Sequence, residues 1–134
     1  MTSEDETQGD LQYPNMRVEV LDELTALSDP DRQAAWGHWK PGADFYEDLT
    51  LVTNNLQDCA VPPEECVGVT LYPDEVAYIE GVWQVLDALT TKLGKAPDST
   101  YLADPAWPEV MAAARAAKLT LEQSDQRRHG QTVL

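Results

Sequence analysis

Asp44, Glu47 and Asp48 are the first residues whose spacing suggests chemistry, because carboxylates at i, i+3 and i+4 share a face on a helix and would suit a hard cation. Nothing completes such a site: no ExxH motif accompanies them, and the DxDxDG calcium loop is missing. The three acids read better as a cluster at a helix N-terminus, where the macrodipole favours negative charge. A nucleophile fares no better. Cys59 and Cys66 match neither a CxxC redox pair nor half of a zinc knuckle, so they read as ordinary thiols. The two histidines are His38 and His129, which pair only if the tail folds back, and although Cys59 or Cys66 could act as a nucleophile with His38, nothing in the spacing requires it. GxSxG and P-loop motifs are absent. Asp48 with Glu64 or Glu65 can be drawn as a carboxylate pair for acid–base work, but so acidic a chain offers many such pairs. The expectation is no catalytic residue, no metal site and no cofactor, which points away from an enzyme.

Charge says more than any motif. The 134 residues carry 24 acidic and 9 basic side chains, a formal charge of −15. Phosphate backbones are bound by clustered Lys and Arg, so direct nucleic-acid binding is disfavoured. Between Pro41 and Thr91 stand ten acids, Asp44, Glu47, Asp48, Asp58, Glu64, Glu65, Asp74, Glu75, Glu80 and Asp87, with no lysine or arginine. A surface of that sign speeds encounter with a basic partner and repels acidic ones. Solubility alone is the competing use of the same charge.

An aromatic loop adjoins those acids. Trp36, Trp39, Phe45 and Tyr46 fall within eleven residues, together with His38 and Gly37. Such rings supply interface anchors, line a pocket, or cap one end of a core. The leading expectation is a non-enzymatic acidic protein-interaction module, such as an immunity- or antitoxin-like inhibitor that masks a basic partner surface. Its contact residues are Trp36, Trp39, Asp44, Tyr46, Glu47, Asp48 and Asp58. The alternative is a small hydrolase or ligand-binding protein with its pocket in the loop 36–46 and His38 as the polar group.

The elements that must position these residues follow from periodicity. From Asp74 to Gly94, Val76, Ile79, Trp83, Leu86, Leu89 and Leu93 recur every three or four residues, which predicts a long amphipathic helix at the centre of the fold. Pro73 opens it, Lys92 suits its last turn and Gly94 its left-handed cap. A first helix is expected from Pro14 to about Leu27, with Met16, Val20, Leu24 and Leu27 inward and Glu19, Asp22 and Glu23 mostly outward. Asp29-Pro30 ends it. A short helix then fits Asp31 to about Trp36. Residues 49–72 favour short helices, although alternation at Val67, Val69 and Leu71 leaves a short strand pair as the alternative. Lys95 to Thr100 is turn-rich, Asp104 can cap a turn at Pro105, and Pro108 opens a last, alanine-rich helix.

The domain expected is therefore a mainly α, single-domain bundle of four to six helices over 13–122, with the first and last helices against the central one. Residues 1–12 read as a disordered acidic tail and 123–134 as a mobile one. Met1 to Asp10 is acidic where a secretory leader is basic, and Glu80, Asp87 and Arg115 interrupt the apolar runs. A cytoplasmic protein without a membrane span is expected.

Tyr13-Pro14-Asn15-Met16-Arg17, Ser28-Asp29-Pro30, Phe45 to Leu49, Val67-Gly68, and Tyr101-Leu102 through Asp104-Pro105 to Trp107-Pro108 resemble a family of small acidic actinobacterial proteins. The resemblance covers Tyr13 to about Leu121. It implies a one-domain cytoplasmic protein and transfers no catalytic residue. The family pattern has a further acid beside Asp58, where this chain has Gln57.

Overall fold

The computed structural model describes residues 11–38 and 46–133, and all of its regular structure is helical. Helix α1, Pro14–Ser28, starts on its proline and stops where Asp29 turns extended ahead of Pro30. Asp29 then accepts from the Asp31 and Arg32 N–H groups and starts α2, Pro30–Gln33, which begins one residue earlier and ends three residues earlier than the sequence suggests. Helix α3, Leu49–Ala60, is capped by Asp48, whose Oδ1 accepts from Leu51 N at 2.8 Å.

No strand forms among the described residues. After α3 a 3₁₀ turn, Pro63–Cys66, runs into a tight reversal in which Cys66 O accepts from Val69, Thr70 and Leu71. Gly68, at φ 82°, makes that reversal possible. The alternation at 67–71 therefore belongs to a turn, and only an isolated Val67–Leu71 bridge remains of the strand alternative. The reversal instead accepts the chain entering α1, through Gln12 N to Gly68 O and Tyr13 N to Val69 O.

A second 3₁₀ turn, Pro73–Glu75, leads into α4, Val76–Leu93, which Gly94 ends at φ 60°. The expected turn-rich connection gives way at Asp98 to a short helix, α5, Asp98–Ala103. Asp104 Oδ1 accepts from Ala106 N at 2.8 Å and shapes the entry to α6, Trp107–Val133.

Two expectations are corrected here. The last helix, α6, packs on the long helix α4 as expected, but α4 is not the hub, because the first helix, α1, packs on α3 and α6 instead. The reason is side-chain size, since Val110, Ala114, Ala117 and Leu121 of α6 are all fully buried and its alanines admit neighbours closely, whereas Trp83, Val85 and Leu93 of α4 are only half-buried. The second correction concerns the end of the domain. Helix α6 continues past residue 122, where a tail was expected, because Ser124 is buried, Asp125 pairs with Arg17, and the Arg128 guanidinium lies 3.7 Å from the Tyr72 ring centroid. Polar residues hold that last stretch, so apolar periodicity could not announce it. Among the described residues, no helix is long and apolar enough to cross a membrane.

Candidate functional site

The described residues among the sequence-predicted contacts separate into a buried set and an outer set. Trp36 is 4% exposed, its ring meets Trp107 edge-on at 6.0 Å, and its Nε1 donates to Glu47 Oε2 at 2.7 Å. It is a core residue, which corrects its expected role as an exposed anchor. Glu47 is buried with it. Arg32 donates to Glu47 from Nε at 2.9 Å and from Nη2 at 2.7 Å, and also grips Asp22 at 2.9 and 3.0 Å. The expectation that Glu47 faces a partner is corrected by that clamp: a base outside the 41–91 stretch supplies the positive charge that the stretch lacks.

Tyr46, Asp48 and Asp58 stay outside the core. The Tyr46 side chain is 40% exposed and its hydroxyl donates to Asp48 Oδ2 at 3.0 Å, a bond that holds the phenol above its ordinary value. Asp98 Oδ2 accepts from Leu49 N at 3.2 Å, so two acids attend the N-terminus of α3. Glu47 and Asp48 precede the helix and do not ride one of its faces, which removes the i, i+3, i+4 reading of Asp44, Glu47 and Asp48. Asp58 lies near the opposite end of α3, exposed. Trp39 and Asp44 lie outside the described residues.

The spacing expected at 44, 47 and 48 occurs instead on α1. Glu19, Asp22 and Glu23 each place one carboxylate oxygen within 4.8 Å of the others. Sequence reading turned all three outward, and for Glu23 that is corrected, since it is only 2% exposed. Asn55 of α3 covers it, with Nδ2 donating to Glu23 Oε2 at 3.2 Å. Burial first, and then the Glu19 carboxylate beside it, push Glu23 up to about 8. Asp22 moves the other way, held low by the Arg32 hydrogen bonds. The signal was present in the sequence as a carboxylate triplet on a helix, but the burial of one member depends on a residue 32 positions away.

Between α1 and α3 a cleft of about 300 Å³ is lined by Asn15, Met16, Glu19, Asn55, Asp58 and Cys59. Its charge is of one sign. Helix α3 contains no basic residue, and the single base of α1, Arg17, is buried and committed to Glu75 and Asp125. Among the described residues no lysine or arginine pairs with Glu19 or Asp58. The Glu19 and Asp58 carboxylates are the cleft's charged groups, set among the Asn15 and Asn55 amides and the apolar Met16 and Cys59 side chains. Burial first, then Glu19 and Glu23, push the Cys59 thiol at the cleft wall up to about 12, which favours the thiol over the thiolate, and its Sγ donates to Asn55 O at 3.0 Å. Asp48 and Glu64 or Glu65 fall beyond opposite ends of α3, some 18 Å of helix apart by its rise per residue, too far for a carboxylate pair.

A family model described as a domain of unknown function (DUF7945) matches residues 11–129. No curated protein and no solved structure matches the chain.

Proposed function

This chain belongs to the DUF7945 family, and from the cleft it builds between α1 and α3 we propose that it is a non-enzymatic acidic interaction module receiving a basic partner surface. The observation that carries this reading is that exposed Glu19 and Asp58 line one cleft and neither is ion-paired with a lysine or arginine among the described residues. Charges of one sign on a concave, low-dielectric wall focus field and draw in opposite charge. Asp48 and the half-exposed Tyr46 extend the surface at the other end of α3. The partner contacts the outer side of α3 and the α1 wall, and Trp36 and Glu47 support that surface from behind.

Masking of a basic protein, in the manner of an immunity protein or antitoxin, is the form of this reading that fits a cytoplasmic chain of charge −15. The test is affinity capture from the native cell across a salt series, with wild type against D58K/Q57K, two exposed positions of α3. Wild type is expected to retain a basic protein that salt releases and the variant to retain none. Equal capture by both, or capture indifferent to salt, overturns the proposal.

A further inference from the structure

We propose that Glu19, Asp22 and Glu23 form a binding site for a hard divalent cation on the α1 wall of the cleft, with calcium the ion that fits best.

Carboxylate oxygens from all three residues lie within 4.8 Å of one another. Oxygens held about 2.4 Å from a common ion stand no more than about 4.8 Å apart, the span of a calcium shell. Magnesium, with shorter bonds and a strict octahedron, suits a set carried by one helix turn less well.

The second observation is independent of the clustering. Glu23 is 2% exposed, and while Asn55 covers its Oε2, its Oε1 is buried with no hydrogen-bond partner. Native interiors seldom leave a carboxylate oxygen unpaired, because its lost hydration has to be replaced. The neighbour on this side is Glu19, a second acceptor, so the two groups call for something positive between them. Arg32 does not supply it, since its guanidinium is taken up by Asp22 and Glu47. Asp22 still has acceptor capacity, because a carboxylate has about four lone-pair sites and a bidentate guanidinium uses two of them.

A cation here neutralises Glu23 without a proton and joins successive turns of α1 beside Asn55 of α3. The inference does not rest on the basic-partner reading, and purified protein alone decides it.

Calorimetric titration of metal-free protein with calcium chloride, and separately with magnesium chloride, at neutral pH is the test. One saturable equivalent of calcium is expected, with magnesium weaker. E23Q and E19Q should each weaken calcium binding by roughly tenfold or more. Glu19 is exposed, so E19Q keeps the test alive if E23Q does not fold. D87N, at an exposed acid of α4, should bind as wild type does. The proposal is overturned if neither ion gives saturable heat, which leaves a shared proton between Glu19 and Glu23. It is equally overturned if D87N loses as much affinity as E19Q, which makes the effect one of net charge. The D58K/Q57K capture experiment fails or succeeds separately from either result.

Discussion

Arg17 and Glu75 meet in a two-pronged ion pair, Nη1 to Oε1 and Nη2 to Oε2 both at 2.8 Å, although 58 residues separate them in the chain. Their side chains are 6% and 0% exposed. The remaining donors are also used: Nε reaches Asp125 at 2.9 Å, and the guanidinium meets the Thr70 and Leu121 carbonyls. Glu75 in turn accepts from Tyr72 N at 2.8 Å. One arginine thus fastens α1 to the turn that opens α4 and to the distal part of α6.

Breaking that pair from one side should be costly. Arg17→Met leaves the Glu75 carboxylate buried without its partner, and a loss of about 3–5 kcal/mol is expected in urea unfolding. Replacing both, as R17M/E75L, should recover a large part of it, because the uncompensated charge is gone. If R17M unfolds at the wild-type urea midpoint, the network is not what holds α6 to α1.

Glu47 should behave as an interior residue. Glu47→Ala strips acceptors from both Trp36 Nε1 and Arg32, and a destabilisation of about 3 kcal/mol is expected, visible as a lower urea midpoint at unchanged slope. An effect within about 0.5 kcal/mol would return Glu47 to the surface.

Asp48 joins helix capping to a phenol. Asp48→Ala removes the acceptor for Leu51 N and should cost about 1 kcal/mol. It also removes the bond that holds Tyr46 high, so the difference in ultraviolet titration between wild type and variant should show one tyrosine ionising at lower pH in the variant. Identical titration curves would mean that the Tyr46–Asp48 bond does not form in solution.

Asp104 sets a pH dependence of known sign. The Ala106 N–H, and then the Lys92 ammonium at 2.9 Å, hold its carboxyl below the ordinary value of 3.8. A folded-state value below the unfolded one stabilises the fold above the unfolded value, and that contribution is lost as pH falls through the folded one. The gap in melting temperature between wild type and Asp104→Asn should therefore be widest near neutral pH and should narrow in acid below 3.8. A gap that stays constant on acidification contradicts the assignment.

The two cysteines should differ in reactivity. Burial pushes the Cys59 thiol up to about 12, whereas Cys66, also raised, is only half-buried. Alkylation in mild base should label Cys66 first, as read by mass spectrometry of C59S and C66S. Faster labelling of Cys59 would place the cleft wall differently.

Much of the fold was open to reading from the chain alone, since the features that make its helices are local. Pro14, Asp29, Asp48 and Gly94 start or stop helices by backbone rules that involve only near neighbours, and the apolar stripes of α1 and α4 turn inward as their periodicity requires, except for Met16, which was expected inward and is 37% exposed in the first turn of α1. A helical single domain follows from those alone. Which helix lies at the centre does not, because stripe width says how much a helix buries and not how closely two neighbours approach it; the alanines of α6 decided that through contact. The candidate site was the least legible part. Whether an acid is a surface charge or a buried one depends on what the fold sets against it: Arg32 neutralised Glu47, Trp107 drew Trp36 inside, and Asn55 closed over Glu23. Those partners come from other elements of the chain, and a carboxylate's energy in a low-dielectric interior is set by groups a few ångströms away, wherever they stand in the sequence.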